Sequence, residues 1–337
     1  MNRSDLFKYY PESWYPICLS KELKKGSSRE FHAFGGKIIL FRNLKGEVGI
    51  IKRYCPHMGT DLLRAPIGNH GPKCPFHFRE FDPNGRCVYV EKSDTIPSNA
   101  HTKALTTKED MGIVFVFFGD KPTFDFPYFS RVKDQDDKAY SKPAVFDLNT
   151  PYQALLFNGF DTHHLDCIHN RTIGRAPAFT NPNQYLLTAD YSMKVLPNRL
   201  YDKLVRLINT KENEVFLECY GGNFLVITLK DTKDNILISS VPIDDKRSRI
   251  FLTSTSTPER TFLKRIGQRF RQKLTTFLGV EFLKPDIDII ENMKPVVLKA
   301  GDSILIAEGR EHMGVSSIVP RICLSSRVSG EVPRQES

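Results

Sequence analysis

Cysteine and histidine gather at two places in this chain, and the two gatherings differ in kind. The first reads Cys55-Pro56-His57 and then, after sixteen intervening residues, Cys74-Pro75-Phe76-His77. Each pair offers one soft thiolate and one imidazole, a donor set that suits either a tetrahedral zinc or an iron–sulfur cluster with histidines on one of its irons. Structural zinc knuckles usually separate their first two ligands by two to four residues, whereas a single residue stands between Cys55 and His57, which favours the cluster. Pro56 and Pro75 stiffen the loop after each cysteine. The second gathering, Asn158-Gly-Phe-Asp161-Thr-His163-His164-Leu-Asp166-Cys167-Ile-His169, is the densest run of possible ligands in the sequence. Two histidines and one carboxylate on one face of an iron(II), with the other face open, form the arrangement that oxygen-activating mononuclear enzymes use.

The elements around these runs are read from periodicity. Lys37–Phe41 and Val48–Lys52, joined by Asn43-Leu-Lys-Gly46, form a hairpin that leads into the first ligand pair, and β-character continues through Arg86–Val90. Ile113–Phe118 is the longest apolar run, too short to span a membrane and long enough for a buried strand. Residues 121–145 are rich in Pro, Asp and Lys and read as a linker. Strands follow at about 185–195, 214–220, 223–230 and 236–255. Residues 258–279 set Phe262, Ile266, Phe270, Leu274 and Phe277 at helical spacing among Arg260, Lys264, Arg265, Arg269, Arg271 and Lys273. The expectation is a surface helix whose apolar stripe packs on the sheet, in preference to one lying on a membrane. The end, 327–337, is polar and reads as a mobile tail.

Cys55-Pro-His57-Met-Gly with Cys74-Pro-Phe-His77 resembles the Rieske box of the Rieske non-haem iron oxygenases, and Phe81-Asp-Pro-Asn-Gly85 resembles its closing hairpin. The family usually continues the second pair with Gly-Trp, where this chain has Phe78-Arg79, so the packing behind the cluster must differ. Asn158, Asp161, His164 and His169 match the family's Asn-x2-Asp-x2-His-x4-His motif position for position. The resemblance implies an α+β chain: an all-β Rieske domain at 12–120, the linker, and a helix-grip catalytic domain at 146–326 with an antiparallel sheet and flanking helices. It implies that Cys55, His57, Cys74 and His77 hold a [2Fe-2S] cluster and that His164 and His169, rather than His163, hold iron(II). Ideal helix geometry sets those two histidines about 140° apart, so a helix bent or ending between them is expected. The resemblance places the third ligand at Asp286, in preference to Asp288, on a late helix. Asn158 and Asp161 would serve catalysis, Asp161 by bridging His164 to His77 of a neighbouring subunit in a head-to-tail trimer.

Composition fits this reading. Lys and Arg total 48 against 39 Asp and Glu, a net charge of +9. Such a charge allows nucleic acid, an anionic membrane or an acidic protein as partner, and without a nucleic-acid motif the acidic protein is expected. No flavin or nucleotide fingerprint is present, so electrons from NAD(P)H would come through a separate flavin reductase, with an acidic ferredoxin as a possible intermediary. Seven cysteines in an odd, scattered set suit buried thiols in a reducing compartment, Cys167 among them as a packing residue. The start of the chain lacks an apolar signal region, so a cytoplasmic location without a transmembrane segment is expected. The implied reaction is O2-dependent hydroxylation or oxidative demethylation of a bulky apolar molecule. The competing readings are an arene dihydroxylase and a Rieske electron carrier with no catalytic iron.

Overall fold

The structure, a computed structural model, describes residues 10–93, 95–195, 212–230 and 232–293. The expected tail, Cys323 and the chain beyond 293 lie outside the described residues. The N-terminal part is built of short antiparallel sheets. Ser27–Ala33, Gly36–Arg42 and Val48–Ile51 pair in order with Ala104–Leu105 at the edge, and the predicted hairpin is present with Leu40 opposite Ile50. Ser13–Leu19, Ile113–Phe118 and Thr107–Asp110 form a second sheet. Ile113–Phe118 is the buried strand its composition predicts, with all but Phe118 out of solvent.

An eight-stranded antiparallel sheet follows in the order Ala139–Tyr140, Ser248–Ser256, Asn235–Pro242, Phe224–Leu229, Glu212–Tyr220, Leu186–Val195, Arg171–Asn183, and Ala144–Leu148 also pairs with Ser248–Ser256. Among the described residues three helices lie on it: α1 (Tyr152–Phe160), α2 (His163–His169) and the long α3 (Phe262–Asn292). The fold is α+β, as expected.

The two parts share one core. Phe115 and Phe117 on one side meet Tyr152, Phe224, Val226 and Phe251 on the other. Asn223 Nδ2 donates to the main-chain oxygen of Trp14 at 3.0 Å, and the Tyr15 and Tyr152 rings meet edge to face at 6.1 Å. The segment expected as a linker is part of this joint. Phe129 and Val132 are buried, Phe124 and Phe126 pack against the core, and the chain joins the large sheet at Ala139. Its Pro, Asp and Lys content concealed four apolar anchors at intervals of two to three residues, too irregular for a strand or helix signal.

The largest departure concerns α3. The helix is longer than expected, and its apolar stripe faces away from the sheet. Phe262, Ile266, Phe270 and Phe277 are all at least half exposed, while Gln268, Gln272 and Thr276 are buried. Gln268 Nε2 donates to Ser256 Oγ at 3.0 Å, Gln272 Nε2 to the Ala139 oxygen at 2.8 Å, and Ser254 Oγ to the Gln272 oxygen at 3.0 Å. The strand beneath presents serines and threonines, so polar helix residues satisfy it where apolar ones would leave buried hydroxyls without partners.

Candidate metal centres and active site

Two loops of the same shape hold the first ligand set. Cys55 N–H donates to Thr60 O at 2.9 Å and Gly59 N–H returns to Cys55 O at 2.9 Å. Cys74 N–H donates to Arg79 O at 2.8 Å and Phe78 N–H returns to Cys74 O at 2.8 Å. The residue four after each cysteine is left-handed, Gly59 with φ 71° and Phe78 with φ 53°. Glycine adopts that backbone without penalty and phenylalanine does not, so Phe78 carries local strain at the point where the chain departs from Gly-Trp. Both cysteines are buried in a small core with Phe41, Leu62 and Phe81, and both histidines are exposed at the loop tips.

The loops are arranged for a metal group. His57 Nδ1 and His77 Nδ1 lie 3.2 Å apart. Two nitrogens each about 2.0–2.1 Å from one tetrahedral metal stand roughly 3.3 Å apart, so this is the separation of two ligands on one ion. Burial pushes the Cys55 thiol up. Burial acts on Cys74 in the same direction, but the N–H groups of Phe76 and His77 and the Thr60 hydroxyl outweigh it and hold that thiol below its usual range. The donor set therefore fits a Rieske cluster, which the two buried cysteines and the two exposed histidines would hold.

The second set closes on α2 and α3. His164 and His169 are the second and last residues of α2, and Asp286 lies near the end of α3, one residue after Pro285. One donor atom from each lies within 4.8 Å of the others. His169 Nε2 is 2.9 and 3.0 Å from the two Asp286 oxygens, and His164 Nε2 is 3.9 Å from Oδ1. Asp286 is 3 % exposed. A carboxylate so deeply buried needs a cation or strong donors, which a metal supplies. Burial outweighs the pull of Asp286 and lowers the His164 pKa, keeping the ring neutral, the form that binds metal. Asp288 is exposed, so the helix turns the expected aspartate inward.

Local structure explains how α2 brings its histidines together. The break falls before His164, at Asp161 and Thr162 between α1 and α2, and not between the two ligands. His169 ends the helix, and Asn170, with φ 53°, turns the chain. His169 stacks on Phe282 at 3.7 Å, while Arg171 Nη1 donates to the His169 oxygen at 2.9 Å. Arg171 is a buried cation of the site that no sequence motif announced. Asp161 is placed differently from the expectation. Its main-chain oxygen, and not its carboxylate, meets His164 Nδ1, and the carboxylate accepts the His163 N–H at 2.9 Å. Asn158 Nδ2 lies 3.4 Å from His164 Nε2. His163 points to solvent, and Cys167, expected to be packed, is exposed beside it with Sγ 3.6 Å from His163 Nδ1.

A cavity opens from His164 and Asp286 between α1, α3 and the concave sheet. Its wall is largely aliphatic, from Leu155, Leu156, Val215, Leu217, Leu225, Ile227 and Ile238. Asn213 stands among them, 2 % exposed, and its Oδ1 has no hydrogen-bond partner among the described residues. Asn223, in the same wall, is bonded at both ends, to Trp14 O and to Ser240 Oγ at 2.8 Å. Nothing in the sequence distinguished these two asparagines.

Comparison with known proteins agrees with this geometry. Residues 13–100 match the Rieske [2Fe-2S] domain family. A cholesterol 7-desaturase of Ciona intestinalis is 32 % identical over 169 residues, 49 % of this chain and 36 % of that protein. The oxygenase component of a 3-ketosteroid-9-alpha-monooxygenase of Rhodococcus rhodochrous is 32 % identical over 119 residues, 34 % of this chain and 30 % of its own length. The matched stretches thus span about a third of these relatives. Dicamba monooxygenase bound to dicamba superposes with a TM-score of 0.63 at 15 % identity, over 94 % of this chain and 96 % of that one, a likeness of fold. A Rieske [2Fe-2S] domain at residues 13–100 thus stands ahead of a sheet-and-helix unit that closes two histidines and an aspartate around one point.

Proposed function

We propose that this chain is the oxygenase component of a Rieske-type monooxygenase that hydroxylates or oxidatively demethylates a bulky, largely apolar molecule. The observation that carries the reading is the cluster of His164, His169 and Asp286, two of which, His164 and Asp286, line an aliphatic cavity. An electron carrier has no use for such a cavity. His164, His169 and Asp286 would hold an iron(II) ion, and Cys55, His57, Cys74 and His77 a [2Fe-2S] cluster; together these groups supply reducing electrons and O2 chemistry.

The protein's own groups do the rest. Aliphatic side chains of the sheet exclude water and hold the substrate by contact area. Asn213 Oδ1 accepts a hydrogen bond from a substrate hydroxyl, which fixes the orientation of an otherwise featureless molecule. Relatives named for cholesterol and for 3-ketosteroids support a polycyclic substrate of that kind. Arg171 fixes the main chain at His169, and the Asp161 carbonyl holds His164 Nδ1, so both rings keep their orientation.

The exposed edges of His57 and His77, ringed by Tyr54, Met58, Phe76 and Phe78, form the surface where electrons enter or leave. We infer a head-to-tail homotrimer in which this surface meets a neighbour near Asp161, and a cytoplasmic setting with a flavin reductase and an acidic ferredoxin as donors. Among the described residues no helix is long and apolar enough to cross a membrane.

Iron analysis tests the proposal. Roughly three irons per chain are expected, two in the cluster and one in the mononuclear site. Incubation with O2, a surrogate reductase and a panel of apolar polycycles should yield a product carrying one oxygen from O2 or lacking a methyl group. Two irons per chain with no product from any member of the panel would leave an electron carrier.

A further inference from the structure

The outward face of α3 has no role in either metal site. Its first half carries Phe262, Leu263, Ile266, Phe270 and Phe277, exposed by 75, 79, 50, 69 and 57 %. At 100° per residue these five fall within an arc of about 100°, a continuous apolar stripe. The opposite side of the helix is already committed to the sheet through Gln268, Gln272 and Thr276. The stripe therefore cannot be buried by a small rotation of the helix without breaking those bonds.

The charge around the stripe is of one sign. From Arg260 to Val280 the sequence contains no aspartate or glutamate. Arg271 is engaged with the buried Asp234 at 2.9 and 3.0 Å. Arg260, Lys264, Arg269 and Lys273 make no ion pair among the described residues, and Arg265 donates to the Glu259 carbonyl at 2.8 Å. Aromatic and aliphatic side chains bordered by unpaired cations form a surface with two demands, an apolar medium for the stripe and negative charge at its margins. An anionic lipid surface meets both: the stripe enters the boundary between headgroups and acyl chains while the cations stay among the phosphates.

We infer that residues 262–277 of α3 dock this protein on an anionic lipid surface as an in-plane amphipathic helix. Asp286 follows Phe277 by nine residues, about 14 Å along the axis, so docking sets the cavity near the lipid from which an apolar molecule would come. The inference stands on the helix face and its charge, and it does not depend on the reaction proposed above.

The test is flotation of the full, iron-loaded chain with phosphatidylcholine vesicles that contain about 30 % phosphatidylserine, and with vesicles of phosphatidylcholine alone. Binding to the anionic vesicles is expected, at least tenfold weaker binding to the neutral ones, and release as salt rises, since exposed charges are screened within roughly 3 Å at 1 M. Two sets of substitutions, Phe262→Ser with Phe270→Ser, and Lys264→Glu with Arg269→Glu and Lys273→Glu, should each reduce binding at least tenfold. Far-UV circular dichroism and the thermal midpoint should stay at parental values. A parent chain that remains unbound overturns the inference, as does binding indifferent to both sets. So does a velocity sedimentation profile in which the serine pair dissolves an oligomer, which would assign the face to a second copy of this chain. Flotation uses neither reductase nor O2, so a failed oxygenase assay leaves this outcome readable.

Discussion

The two ligand sets sit in opposite surroundings. His57 and His77 are exposed at the tips of the two loops, with their cysteines buried behind them, whereas His169 and Asp286 are buried and His164 lines a cavity. An electron needs a short path to the surface, and an exposed imidazole edge provides one. Oxygen chemistry needs water excluded and the substrate held, which a buried aliphatic chamber provides. The contrast teaches how one chain keeps the two tasks apart, since each set can be altered with the other left standing.

The sharpest way to break that separation is Asp286→Ala. The variant loses the only carboxylate of the buried set, so it should lose the mononuclear iron and essentially all product formation, at least about 1,000-fold, while the visible spectrum of the cluster is unchanged. Iron counting beside the spectrum decides it. If the spectrum collapsed as well, the two sites would not be independent.

Asp161→Asn probes the seam between the sites. The carbonyl that meets His164 is kept, and the carboxylate that accepts the His163 N–H is replaced by an amide. Iron should remain, and product formed in a single turnover by pre-reduced enzyme should fall about 10–100-fold. Parental single-turnover yield would remove Asp161 from electron transfer. At the exposed set, His57→Cys should retain an iron–sulfur centre whose potential falls by a few hundred millivolts, toward all-cysteine clusters. An unchanged potential in a redox titration would show that His57 is not a ligand.

The smallest effect is the most local. Phe78→Gly relieves a left-handed phenylalanine at a site whose counterpart is Gly59, and should raise stability by about 1 kcal/mol, less what is lost where the Lys73 ammonium lies 5.1 Å from the Phe78 ring. Thermal unfolding measures it, and a lower midpoint would mean that the ring contact outweighs the backbone strain.

Much of this was legible in the residues because ligand spacing is a local property. Cys55, His57, Cys74 and His77 announce themselves through two short loops, and Asn158 to His169 through one continuous run of twelve residues. In the large sheet the strands within 185–195, 214–220, 223–230 and 236–255 were readable for the same reason, whereas Arg171–Asn183, Ala139–Tyr140 and Ala144–Leu148 were not. What stayed hidden depends on contacts across the fold. The register of α3 is the clearest example: an amphipathic pattern tells which face is apolar, and nothing in it tells which face is inward. That was decided by the serines and threonines of Ser248–Ser256, which favour glutamines above them. Arg171 and Asn213 were hidden because a buried cation and an unsatisfied amide are defined by their neighbours, and the linker because its aromatic anchors were diluted by charge.

The core that runs from Phe115 and Phe117 to Phe224 and Phe251 has a consequence for how the molecule comes apart. Rings that fill one interior cannot be exposed on one side alone, so removing the sheet would strand the apolar back of the Rieske part in water. Heating should therefore melt cluster-bearing and cavity-bearing parts in one cooperative transition, with the loss of cluster colour and of far-UV ellipticity tracing a single curve. Two resolved transitions would show that the shared interior is a contact between independent folding units. A single one would mean that the cluster reports, by its colour, on the integrity of a chamber at the other end of the chain.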